Sequence, residues 1–275
     1  MAEIIGVVER LWRYPVKSTG GEPLDVVEVD ERGLAGDRLY AVRDGAGKFG
    51  SGKNTRRFRR MDGLLRLSSR LGSRIDGPEL FDPLGGPVGD PNAFLRAYLE
   101  RDDVELARED AVSHFDQLPV SVLTTATLDW VRAAVPSAVV DERRFRPNIL
   151  LRTPPGTPAF VEDDWFGREG WFGRDGGGPT GGEPEGARLT FVRSSERCAM
   201  TGTAQPGLPH APEILKAIAQ AHDTRLDALA TVEHPGRIRL GDLLALGSAP
   251  GRGGRRTPAQ AACRTRQNGC PAGSV

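Results

Sequence analysis

Short apolar runs separated by glycine- and proline-bearing turns limit what this chain can fold into more than any other feature. In the first half they are Ile4–Trp12, Leu24–Asp30, Leu39–Arg43, Leu64–Ser68, Val104–Ala107 and Val120–Leu123. In the second half they are Asn148–Leu151, Leu189–Val192, Leu229–Val232 and Arg237–Leu246. Each is rich in Val, Leu and Ile and short enough to be a strand. Asp44-Gly45-Ala46-Gly47 follows one of them and supplies the positive φ angles of a tight hairpin. So many short strands point to a barrel or an α+β fold. Only three helices are predicted. Pro91–Glu100 carries Phe94, Leu95, Tyr98 and Leu99 along one stripe. Thr125–Val135 can be capped by Thr124 or Thr125, and Ala211–His222 has Pro212 in its first turn.

A chain of 275 residues can bury a sizeable core as one large domain or two small ones. Two segments are predicted to stay unpacked. Gly167–Gly186 follows and overlaps a four-residue duplication, Trp165-Phe166-Gly167-Arg168 and Trp171-Phe172-Gly173-Arg174, too short to be an architectural repeat, and reads as a loop insertion. From about Ser248 to Val275 the chain lacks apolar periodicity and reads as a disordered tail. The 37 Lys and Arg balance the 37 Asp and Glu, so no broad basic surface for nucleic acid is implied. No basic stretch followed by a long apolar one opens the sequence, and no apolar run would span a bilayer. A soluble, cytoplasmic protein is the expectation. Three cysteines do not make a disulfide framework.

Four places can carry chemistry. Cys198 sits after a predicted strand, with Arg197 beside it and Arg193 five residues before it; positive charge favours the thiolate, the form that attacks electrophiles or ligates a soft metal. A small buried apolar residue is the bland alternative. Tyr14-Pro15-Val16-Lys17-Ser18 offers an ammonium and a hydroxyl that can meet a phosphate, or simply an exposed loop lysine. Gly33-Leu34-Ala35-Gly36-Asp37-Arg38 is a turn that puts an acid and an arginine at the mouth of the next strand. Arg144-Phe145-Arg146-Pro147-Asn148 is predicted to be extended at its centre, because a residue before proline avoids helical space; Arg146 and Asn148 would then point the same way and grip one anionic ligand. The four histidines show no metal-ligand spacing, and neither a P-loop, a dinucleotide-binding glycine motif nor a nucleophile elbow is present.

Taken in order, these stretches resemble the MOSC family, named after the C-terminal domain of molybdenum-cofactor sulfurases, and within it the two-part members that include the mitochondrial amidoxime-reducing component and its bacterial relatives. Tyr-Pro-Val-Lys-Ser and Gly-x-x-Gly-Asp-Arg, within residues 3–43, resemble the N-terminal module. Arg-Phe-Arg-Pro-Asn, Phe160–Trp165, Glu196-Arg197-Cys198, Gln205–Pro209 and Gly236–Asp242, within residues 118–248, resemble the MOSC domain proper. The resemblance implies a β-rich α+β fold. Residues 1–110 would form an N-terminal β-barrel-like module and residues 111–248 a MOSC β-barrel, followed by the tail at 249–275. It implies a molybdenum cofactor, with Cys198 as the metal's thiolate ligand and the catalytic centre. Lys17, Ser18 and Arg38 would bind phosphate and pterin, Arg146 and Asn148 the pterin, and Thr124 and Thr125 would add anion contacts at a helix start.

The function so implied is reduction of N-hydroxylated compounds such as amidoximes, hydroxamic acids or hydroxylamines. A non-catalytic cofactor carrier or sulfur-transfer protein, with Cys198 as the transfer thiol, is the alternative. No fused ferredoxin domain is evident, so electrons would come from a separate donor protein of ferredoxin, flavoprotein or cytochrome type. Partners would otherwise be a small N-oxygenated substrate, with neither nucleic acid nor membrane. The insertion at Gly167–Gly186 and Glu196, where relatives often carry a hydroxyl residue, depart from the family pattern.

Overall fold

In the computed structural model, residues 2–72, 77–175 and 186–248 are described. The tail expected from 249 onward, and residues 176–185 of the expected insertion, lie outside them.

The fold is β-rich, and its centre is a closed seven-stranded barrel. Around the barrel run Ile149–Arg152, Val120–Thr124, Arg225–His234, Arg188–Glu196, Glu169–Gly173, Leu243–Leu246 and Glu3–Arg13, and the last pairs back onto the first. The N-terminal strand thus closes the barrel built by the C-terminal half. It pairs antiparallel with Ile149–Arg152 on one side, Leu11 opposite Ile149, and with Leu243–Leu246 on the other. Alternation decides which way each side chain faces. Val120, Val122, Ile149 and Leu151 point into the barrel with Trp165, Phe172 and Phe191. Leu123 and Leu150 point outward, onto the helices.

Three helices pack on or near this frame. The helix α1 (Pro91–Leu99) starts at Asp90, whose carboxylate accepts from the backbone N–H groups of Asn92 and Ala93, both at 3.0 Å. Thr124 caps α2 (Thr125–Ala134) by accepting from Thr127 N at 3.1 Å. Pro212 opens α3 (Pro212–His222), and Ile214 and Ile218 bury its inner face beside Leu128 and Val131 of α2. Outside the barrel, Val104–Arg108, Tyr40–Asp44, Phe49–Ser51 and Phe58–Arg60 form a second sheet whose apolar face meets α1. Its hairpin turns as expected, with Gly47 at φ 74° and Asp44 Oδ1 accepting from Ala46 N and Lys48 N. No helix of the described residues is long and apolar enough to cross a membrane.

Four expectations need correction. Gly167–Gly186 is not all loop: Glu169–Gly173 is a barrel strand with Phe172 buried, and Trp165 before it is a core residue. Its glycines masked an alternating strand; Gly170 is small because a Cβ there would come within 2.7 Å of Phe191. Leu64–Ser68 is not a strand. Gly63 at φ 96° starts a 3-10 turn over Leu64–Arg66, and pairing begins only at Ser68. Arg237–Leu246 is two strands, Gly236–Arg239 and Leu243–Leu246, divided where Gly241 turns at φ 84°. Arg146 is not extended but left-handed, at φ 55°. Proline removes the right-handed region without choosing its replacement. The short turn Glu142–Arg144, ending with Arg146 N on Glu142 O at 3.2 Å, closes as helical turns often do, on a left-handed residue.

Candidate functional site

Backbone pairing brings the motifs together. The segment Tyr14–Lys17 runs beside Arg38–Tyr40: Arg38 N donates to Tyr14 O (2.8 Å), Tyr40 N to Pro15 O (3.0 Å) and Lys17 N to Tyr40 O (2.8 Å). Asp37 locks the same crossing by accepting from Tyr14 N at 2.7 Å. The third motif joins through Asn148. Its backbone N–H donates to Ser121 O at 3.0 Å, and its carbonyl accepts from Trp12 N at 2.8 Å. The fourth arrives on the long strand Arg188–Glu196, after which Arg197 N bonds to Thr224 O at 2.7 Å and Cys198 opens a 3-10 turn.

The result is one cleft at the end of the barrel, lined by Lys17, Ser18, Arg38, Arg146, Asn148 and Cys198 among others. Cys198 is partly exposed to it. Six basic side chains line the cleft, namely Lys17, Lys53, Arg38, Arg144, Arg146 and Arg197, against only Asp116 and Glu196. Two of the cations are held on one ring: the guanidinium carbons of Arg146 and Arg38 lie 4.2 and 4.8 Å from the Tyr14 ring centre. Such stacking favours cations, but two of them this close repel.

The electrostatics differ from one cation to the next. Burial opposes the charge of Arg38, but the adjoining Asp37 carboxylate outweighs that and holds its pKa above the usual value. Arg146 has no carboxylate within ion-pair distance among the described residues; it donates to Thr19 O, and burial and then the charge of Arg38 push its pKa down to about 10. Lys17 is 3% exposed, not the loop lysine its surroundings in sequence suggest. Its ammonium donates to His114 O and meets Asp116 Oδ1, both at 2.9 Å. Burial pushes its pKa down to about 8, against the pull of Asp116. Arg197 meets Asp227 at 3.1 Å and donates to Ser195 Oγ at 2.9 Å, while its Nε stays buried without a partner.

Not every expected residue faces the cleft with free groups. The Ser18 hydroxyl donates to Gly50 O at 3.0 Å. The Asn148 amide is a cross-brace between strands, accepting from Ser121 N and Oγ at 3.2 and 3.3 Å and donating to Trp12 O at 3.3 Å. Thr124 and Thr125 do not line the cleft. The Thr124 hydroxyl donates to Glu162 at 2.9 Å, and Thr125 meets Thr153. Sequence reasoning missed Asp116 and Lys53, which no local signal ties to Lys17, and read Arg144 without its role. Arg144 is buried and clamps the carbonyls of Val139 and Pro209, both at 2.7 Å, which shapes the cleft wall.

The donor set fits an anionic group that brings a metal. Arg146, without a carboxylate partner, leaves positive charge that the protein does not neutralise, and a phosphate would; Lys17 stands beside it with Asp116. Among the described residues no three His, Cys, Asp or Glu side chains gather to hold a metal, so a metal here would take Cys198 from the protein and its other ligands from its cofactor.

A family model for the MOSC domain matches residues 109–245, and one for the MOSC N-terminal beta barrel domain matches residues 5–73. Among curated proteins, none matches. Among solved structures, the YUAD protein from Bacillus subtilis is 14% identical, with a TM-score of 0.49 over 91% of this chain and 100% of that one. A second, titled only as a hypothetical protein, is 11% identical, with a TM-score of 0.41 over 90% of this chain and 69% of the other. With both family models in order along most of its length, the chain belongs to the MOSC family, in the form that carries the N-terminal barrel domain ahead of the MOSC domain.

Proposed function

We propose that this protein is a molybdenum-cofactor-dependent reductase of N-hydroxylated compounds. Membership of the MOSC family is consistent with a protein that binds the molybdenum cofactor. The observation that carries the reading further is the company Cys198 keeps: a partly exposed thiol shares its cleft with six basic side chains and two acids. When bound, the cofactor supplies a two-electron centre at which an N–O bond is reduced, with the oxygen leaving as water.

The chain's own residues would do the rest. Cys198 ligates the metal through Sγ. Arg146 and Arg38, both held over the Tyr14 ring, would pair with the phosphate and the pterin's acceptor atoms. Lys17 holds a proton at Nζ at neutral pH and would add a point charge in the same cleft. Arg144 and Asn148 hold the walls and make no contact of their own that the reading needs. Electrons come from a separate donor protein of ferredoxin, flavoprotein or cytochrome type.

The test is turnover. Protein purified from a host that makes the cofactor should reduce benzamidoxime to benzamidine with reduced methyl viologen as the electron source, two electrons and two protons being consumed per water released. Cys198→Ala should fold and melt like the wild type yet show no turnover. Wild-type rates in that variant, or no turnover by protein with full molybdenum content, would overturn the reading.

A further inference from the structure

A second cleft adjoins the first and shares Ser18 and Met200 with it. Its far wall comes from the N-terminal half: Met61, then Leu64 and Leu65 on the 3-10 turn, and Tyr98 of α1, whose hydroxyl is already used on Gly63 O at 3.1 Å. Its near wall is the stretch after Cys198, from Ala199 to Ala204. The surface between these walls is mainly apolar, unlike the cationic cleft beside it.

Met200 is the partition. Two residues from Cys198, it packs so closely on Gly52 that a Cβ there would come within 2.6 Å of its Cγ, and its Sδ lies 3.9 Å from Ser51 Oγ. A thioether on a flexible stem can move aside at the cost of one weak O–H···S contact from Ser51. The charges that line the cleft do not cancel. Arg60 is paired with Asp62 at 2.8 Å, whereas the exposed Arg66 makes no hydrogen bond or ion pair through its side chain among the described residues.

We infer that this second cleft holds the body of the organic substrate. The ligand is a flat, apolar N-hydroxylated compound with a carboxylate at its far end; Arg66 meets the carboxylate and Met200 sets the width of the passage to Cys198. The inference rests on the proposed reductase reading for the reactive end of the ligand, but the cleft's preference for an aryl acid can be measured without turnover. A benzamidoxime bearing a para carboxylate, with one flat ring between its N–O group and its charge, is the probe.

The experiment compares benzamidoxime, 4-carboxybenzamidoxime and hydroxylamine. Binding of the first two is followed by calorimetric titration of the cofactor-loaded protein, and reduction of all three with reduced methyl viologen. The wild type should bind the carboxylated compound about five-fold more tightly, the range of one exposed charged contact. Arg66→Met should erase that preference and leave benzamidoxime unchanged. Ala204→Phe, which fills the near wall, should weaken both by ten-fold or more, yet leave molybdenum content, melting temperature and hydroxylamine reduction at wild-type values, since hydroxylamine has no body to accommodate. Equal binding of the two amidoximes by wild type, or a folded Ala204→Phe that binds both normally, overturns the inference while leaving the reductase reading intact. Binding that responds to both variants in a fully loaded protein that reduces none of the three supports the cleft and sinks the reductase reading instead.

Discussion

Two clusters of buried charge sit within one barrel, and they are built on opposite principles. Around Glu162, every group is satisfied. One carboxylate oxygen accepts from Thr124 N and Thr124 Oγ1, both at 2.9 Å, and the other from Thr127 Oγ1 at 2.7 Å. Burial raises the pKa of Glu162 against those hydrogen bonds, and the cluster ties the start of α2 to the turn Val161–Trp165. Around Tyr14 the charges do not balance: Arg146 lacks an acid, and Lys17 keeps its proton against burial with one half-exposed partner. A satisfied network stabilises a fold, whereas unneutralised buried cations cost stability until something anionic arrives. On the proposed reading, the difference separates what the protein uses to stand from what it would use to bind.

The comparison breaks most visibly at Glu162. Glu162→Ala strands a backbone N–H and two hydroxyls in the interior, which should cost about 2–4 kcal/mol. Thermal melting should fall by roughly 5–10 °C for a chain of this size, while the molybdenum-to-protein ratio of the folded fraction stays unchanged. Arg146→Met should do the reverse. Cofactor affinity should drop roughly ten- to hundred-fold, the value of one charge-assisted contact, and the cofactor-free protein should melt no lower than wild type, because a repelling cation has gone. A large stability loss in that variant would mean that Arg146 is structural after all.

Smaller, and sharper, is the pH dependence at Lys17. Its pKa is about 8 in the folded protein and near 10.5 in an unfolded chain. Between those values the unfolded state binds more protons, so this residue makes the cofactor-free protein more stable as pH rises from about 8 towards 10.5, and that gain is lost as pH falls back through 8. Anion affinity should move the other way, weakening above about pH 8 as the ammonium loses its proton. Lys17→Met should flatten both trends; denaturant titrations and cofactor retention across pH 7–10.5 would measure them.

How much of this was legible in the sequence depended on whether the signal was local. The capping Thr124 and Pro212 at the start of α3 mark helix ends by their own chemistry, and the structure follows them. Glu169–Gly173 was hidden because its strand contains two glycines, one of them required by the approach of Phe191, and glycine reads as loop. The first strand's role in closing the C-terminal barrel could not be read at all, since its register is set by residues more than a hundred positions away. At the candidate site the ordered motifs brought Lys17, Ser18, Arg38, Arg146, Asn148 and Cys198 to one cleft. What they could not convey was which polar groups are already spent. Thr124 belongs to Glu162, Asn148 to the backbone of Ser121 and Trp12, and Ser18 to Gly50. That division depends on pairings between distant strands, and a motif carries no record of it.

The central claim is that Cys198 and its surrounding cations form the seat of a molybdenum cofactor. Metal and pterin content, measured on protein from a cofactor-making host, tests it most directly when wild type is set beside Cys198→Ala and the triple variant Lys17→Met, Arg38→Ala, Arg146→Ala. The account predicts molybdenum and pterin in near-equal amounts in the wild type, loss of most molybdenum from Cys198→Ala, and loss of both from the soluble, folded fraction of the triple variant, whose melting temperature also falls because Arg38→Ala leaves the buried Asp37 carboxylate without its ion-pair partner. Wild-type amounts of both in the triple variant, or neither in the wild type, would contradict it.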